Sequence, residues 1–86
     1  MEKTVRILNE EGLHARPAGV FVKKALEFQS SIEVRVCGVA KNGKSIMALM
    51  GLGLTKDAEI TIVATGPDAT AAVEALADLV SKKFHI

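Results

Sequence analysis

The chain has 86 residues, eleven basic against ten acidic side chains, and a single cysteine. That length leaves room for one small core, and the near balance of charge provides no field that would draw a nucleic acid or an anionic membrane. No apolar stretch approaches the roughly 20 residues that cross a bilayer, so no membrane insertion is expected. Cys37 has no partner for an internal disulfide and the first residues lack a signal-peptide pattern, which points to a reducing cytoplasm.

No linker, repeat or low-complexity tract divides the sequence, so one domain over residues 1–86 is expected. KTVRIL, residues 3–8, alternates Val5 and Ile7 with Thr4 and Arg6 and predicts a half-buried strand. After the loop NEEGL, the apolar positions Ala18, Phe21, Val22, Ala25 and Leu26 fall on one face of a helix over residues 15–27, with Lys23, Lys24 and Glu27 turned away. Ile32, Val34 and Val36 alternate with Glu33 and Arg35, and Cys37-Gly38 turns the chain into a short strand over residues 39–41. The stretch from Ile46 to Leu52 can make about two helical turns before Gly51 and Gly53 weaken it. Ile60, Ile62 and Ala64 mark a fourth strand. Asp68 is then placed to cap a last helix whose inward stripe is Ala69, Ala72, Val73, Leu76, Val80 and Phe84. The order is βαββαβα, and strands that alternate apolar with polar predict an α+β, open-faced two-layer domain whose antiparallel sheet has one face covered by helices.

Two segments carry chemistry. GVAKNGKS, residues 38–45, satisfies the phosphate-loop pattern G-x-x-x-x-G-K-[ST]. That loop needs a parallel strand, a crossover helix and a second acidic strand end for magnesium, and this short chain offers none of them in the right order. A small nucleotide-binding enzyme is therefore the weakest of the readings. GLHARPA, residues 12–18, sets His14 at the start of the first helix, with Arg16 two residues on and Pro17 in the first turn, where a missing N–H costs nothing. Unpaired backbone donors at a helix start favour negative charge and disfavour an imidazolium, by about 0.3–1 kcal/mol per unit charge. The ring is thus suited to act as a nucleophile, and a phosphoryl group on it would be held by those donors and by Arg16. The bland reading makes His14 a capping residue and Arg16 a solvated charge. No metal site is expected, because the other histidine, His85, reads as a solvated tail residue and nothing stands at ligand spacing with His14.

GLHARPA resembles the active-site signature of the HPr family, the histidine-containing phosphocarriers of the bacterial phosphoenolpyruvate-dependent sugar phosphotransferase system. KSIMALMGLGL resembles the segment around that family's regulatory serine. The likeness runs from the first strand to the last helix. It implies a four-stranded sheet in the order 1-4-2-3 with three helices on one face, and a carrier that is modified covalently rather than an enzyme with a cofactor. His14 would take a phosphoryl group on Nδ1 from phosphorylated enzyme I and pass it to sugar-specific transporter components, and Arg16 would attend the phosphate. Ser45 would be the acceptor of a regulatory kinase, HPr kinase/phosphorylase, with a carbon-catabolite regulator as a further partner. The partner surface would include Phe21, Lys23, Met47 and Met50, and the protein would work as a monomer. Glu11 departs from the family's pattern, since a small polar residue is frequent there, and a carboxylate at that point would repel a phosphorylated ring. A regulatory binding module of the same fold is the alternative from another class.

Overall fold

The structure, a computed structural model, describes residues 1–84; the expectation for His85 lies outside them. Strand β1 spans Glu2–Arg6 and helix α1 spans Ala15–Ala25. Strands β2 (Ser31–Val36) and β3 (Val39–Asn42) form a hairpin, followed by the short helix α2 (Ile46–Met50), strand β4 (Glu59–Thr65) and helix α3 (Ala69–Ser81). All pairings are antiparallel and the sheet runs β1-β4-β2-β3. Alternation dictates which face is buried: Ile60, Ile62 and Ala64 of β4 stand beside Ile32 and Val34 of β2 under the helices. The opposite face carries polar pairs such as Thr4 with Thr61, whose hydroxyls lie 2.9 Å apart, and Arg6 with Glu59. The β2–β3 turn places Cys37 and Gly38 both at positive φ, the backbone of the tight hairpin turns that match strand twist.

Local packing alters several expectations. Helix α1 stops at Ala25, so Leu26 becomes its C-cap and is 62% exposed instead of joining the inward stripe. The Asp68 side chain does not cap α3. Its carboxylate reaches back across the fold to accept from the Gln29 and Ser30 N–H groups, both at 2.9 Å, and from the Ser30 hydroxyl. Ser30 Oγ in turn accepts from the Asp68 N–H at 3.2 Å. The chain segments entering β2 and α3 are thereby tied together by groups almost forty residues apart in sequence.

The loop between β1 and α1 is docked by backbone. Gly12 takes φ +68°, and Leu13 donates its N–H to the Leu54 carbonyl at 3.2 Å with both leucine side chains buried. A Cβ on Gly12 would lie 2.3 Å from the Leu54 carbonyl oxygen and 2.8 Å from Thr55 Cα. Both obstacles are backbone and cannot swing aside. Gly12→Ala should therefore cost more than about 2 kcal/mol, the sum of a left-handed residue and the displaced strap, read as a fall in Tm by calorimetry.

The Asp68 clamp predicts a dependence on pH. The Ser30 hydroxyl and the Gln29 N–H, with smaller help from the Ser30 and Asp68 N–H groups, hold its carboxyl below the usual carboxylate range against the opposing effect of burial. A depressed folded-state value means the clamp stabilises the fold fully above about pH 4, the unfolded value, and is lost as pH falls through the lower folded value. Asp68→Asn should melt below the wild type at pH 7, and the gap between the two melting temperatures should close as the pH is taken down toward 2. A gap of constant size would show that the carboxylate charge has no part in it.

Candidate functional site

His14 is the N-cap of α1, with extended backbone (φ −86°, ψ −169°) and an exposed side chain that makes no capping bond. Its carbonyl accepts from the Ala18 N–H at 2.8 Å, which starts the helix. Pro17, buried, has no N–H to satisfy, so the donors left at this end belong to the residues just after His14. There is no acidic residue in the first turn, and Lys23 and Lys24 stand in the last, an arrangement that leaves the positive end of the helix dipole uncompensated by α1 itself. An anion attached to the imidazole would meet unpaired N–H groups there.

Arg16 points into solvent, with 83% of its side chain exposed, and its Nη2 lies 3.7 Å from Glu11 Oε2. Glu11 is also anchored from the protein side: Asn9 Nδ2 donates to Glu11 Oε1 at 3.2 Å and to the Gly12 carbonyl at 2.7 Å. Asn9 is 4% exposed and its Oδ1 is buried with no hydrogen bond, so the amide is held in place by what it donates. Sequence reading passed over Asn9. The available signal was an asparagine three residues before a glycine, a pattern that closes turns by bonding its own backbone neighbourhood.

Ser45 is the N-cap of α2 and its hydroxyl accepts from the Ala48 N–H at 3.2 Å. Helix α2 packs on α1 and exposes Ile46, Met47 and Met50, with Met47 at 85%. Lys23 is exposed on α1. Phe21 is not on that surface. At 1% exposure it is among the most buried side chains, because its place three residues after Ala18 turns the ring toward the sheet.

The phosphate-loop pattern takes a different shape here. Gly38 lies in the hairpin turn, residues 39–42 form β3 antiparallel to β2, and no parallel crossover follows. Lys44 is half-buried: its ammonium donates to the Phe28 carbonyl at 2.8 Å, while its N–H bonds Asn42 Oδ1. The lysine that would reach a nucleotide's phosphates instead closes the end of the turn after α1. No group of histidine, cysteine and carboxylate side chains suited to a metal occurs among the described residues, and none of the helices described is long and apolar enough to cross a membrane.

Comparison with known proteins gives this geometry its context. A family model described as the PTS HPr component phosphorylation site matches residues 1–82. The phosphocarrier protein HPr of Treponema pallidum is 42% identical over 83 residues, 96% of this chain and 94% of that protein. The crystal structure of an HPr from Thermoanaerobacter tengcongensis superposes with a TM-score of 0.94 at 43% identity, covering 98% of this chain and 94% of the other. A second structure from that organism, at 42% identity, TM-score 0.80 and coverage of 100% and 99%, is an HPr dimer. The expectation of a monomer is therefore not a rule of the relatives. With the signature in GLHARPA, the β1-α1 strap that presents it and a likeness that covers nearly the whole chain, this protein belongs to the HPr family of phosphotransferase-system phosphocarriers.

Proposed function

We propose that the protein accepts a phosphoryl group on His14 Nδ1 from phosphorylated enzyme I and passes it to sugar-specific components of the phosphotransferase system in the cytoplasm. The observation that carries this reading is the exposed, uncapped imidazole of His14 at the start of α1, in a chain of the phosphocarrier family. In the transfer, the lone pair of His14 Nδ1 attacks phosphorus as the donor's N–P bond breaks and its electron pair returns to the donor ring. His14 keeps its proton on Nε2 and becomes an imidazolium carrying the phosphoryl group. Handing the group on is the same step reversed toward the acceptor. Such a transfer is largely positioning and charge stabilisation, which the helix start and the Arg16 guanidinium supply while each partner brings the rest. Met47, Met50 and Lys23 form the docking side, where flexible methionines suit a surface that must fit several partners.

Incubation with enzyme I and phosphoenolpyruvate should add one phosphoryl group to the intact chain, stable in alkali and lost in acid, and His14→Ala should abolish it. Arg16→Ala should slow transfer about 10- to 100-fold, the usual weight of one charge-assisted contact, with little change in Tm because its side chain is exposed. Label retained by His14→Ala would sink the assignment.

Ser45 fits a regulatory role, as acceptor for HPr kinase/phosphorylase with a carbon-catabolite regulator reading the product. A phosphate there adds about −1.5 to −2 charge beside the α2 donors and next to the exposed Met47. The fold should tolerate it and docking should not. Ser45→Asp should slow phosphorylation of His14 about tenfold by changing encounter with enzyme I, with Tm preserved. Calorimetry with ATP should detect no micromolar binding to the isolated wild type, since Lys44 is engaged by Phe28.

A further inference from the structure

We propose that Glu11 sets how firmly the phosphoryl group is held, by competing with it for the Arg16 guanidinium; this rests on the reading of His14 as the acceptor. Three contacts carry the inference. One oxygen of the Glu11 carboxylate is fixed by the buried Asn9 amide at 3.2 Å. The other lies 3.7 Å from Arg16 Nη2. The same Asn9 amide bonds the Gly12 carbonyl at 2.7 Å, so the carboxylate is anchored to the loop that presents His14. Glu11 thus stays anchored by the Asn9 amide even when Arg16 turns away.

The separation of 3.7 Å exceeds the usual 2.7–2.9 Å or so of a charge-assisted hydrogen bond, so Arg16 is restrained without being locked. A phosphoryl group on His14, net negative even on an imidazolium ring and with three strong acceptor oxygens, takes the guanidinium away. Glu11 then stays behind as an anion in the same loop. The loss of the Arg16 contact and the repulsion between the carboxylate and the phosphoryl group both raise the free energy of the phosphorylated form. The carrier gives up its phosphoryl group more readily than it would with a neutral side chain at position 11.

The test lets two copies compete. Equal amounts of 15N-labelled wild type and unlabelled Glu11→Gln are mixed with catalytic enzyme I and fewer phosphoryl equivalents of phosphoenolpyruvate than there are carriers. The group then moves between the two His14 rings through the enzyme's histidine, one N–P bond forming as the other breaks, with the electron pair returning to the ring that loses phosphorus. At equilibrium, intact mass should show the phosphoryl group favouring Glu11→Gln by about threefold, the scale of an exposed ion pair. In an Arg16→Ala background the preference should fall below half of that. Equal partition in the first mixture, or an undiminished preference in the second, would overturn the proposal. If the wild type takes no phosphoryl group on His14, the functional reading has failed, and the Glu11 contact is judged on the unmodified chain. There the Arg16 Nε–Hε group should relax as a freer side chain in Glu11→Gln than in wild type, and equal mobility would again overturn it.

Discussion

The hydrogen bond from the Leu13 N–H to the Leu54 carbonyl joins the loop before α1 to the segment after α2, and the candidate site depends on it. Backbone can approach backbone this closely only because Gly12 has no Cβ. With Leu13 and Leu54 both buried, the strap is pinned by apolar contact on one side and by the Asn9 amide on the other. His14 follows immediately, so its ring is exposed while its backbone is fixed. That combination suits a group that partners must reach but that must arrive in one orientation. A pocket would serve less well, since the chemistry of a carrier takes place between two proteins.

The rest of the fold keeps the helices in place above the sheet. The inner face of β4 is wholly apolar and is bordered by β1 and β2, so α3 packs across β1 and β4, and α1 packs beside α2 and α3 with its buried residues in the same core. Across the sheet's end, Asp68 ties the entry of α3 to the entry of β2, and Lys44 ties the turn before α2 to the carbonyl of Phe28. Both bonds converge on the short segment between α1 and β2, residues 28–30. Polar groups of that segment would otherwise lack partners where helix and strand give out, and two distant side chains supply them.

Periodicity marks β2, β4 and the two long helices within a few residues, because those strands bury alternate residues and each long helix one stripe; β1 and β3, at the sheet's edges, bury none of their residues. Strand order was another matter. It is set by which apolar faces meet across long loops, so resemblance to a known family implies it and the pattern does not. The residues misplaced in the sequence reading fail for local reasons. Leu26 follows the helical period but lies one residue past the helix end. Asp68 stands at a capping position but finds stronger donors in Gln29 and Ser30. Phe21 cannot both fill the core and face a partner, and burial of so large an apolar side chain outweighs exposure. Asn9 shows in the sequence only as an asparagine three residues before a glycine, and the role of Lys44 depends on the Phe28 carbonyl, a neighbour that no local pattern announces.

The loose pairing of Arg16 fits the demands on a carrier in the proposed relay. A phosphoryl group held too tightly would be accepted from enzyme I and then kept, while one held too weakly would not be accepted. An exposed ion pair is worth about 0–1 kcal/mol, enough to bias a transfer equilibrium by severalfold and too little to trap either state. Arg16 is exposed and reaches Glu11 only at ion-pair distance, so a shift of its guanidinium from that carboxylate to a phosphate would come at small cost. Burying the same pair would raise the desolvation penalty of every exchange. In the proposed relay, exposure of the site would serve energetics as well as access, by keeping the two charge states of the carrier close enough in free energy for the group to move in either direction.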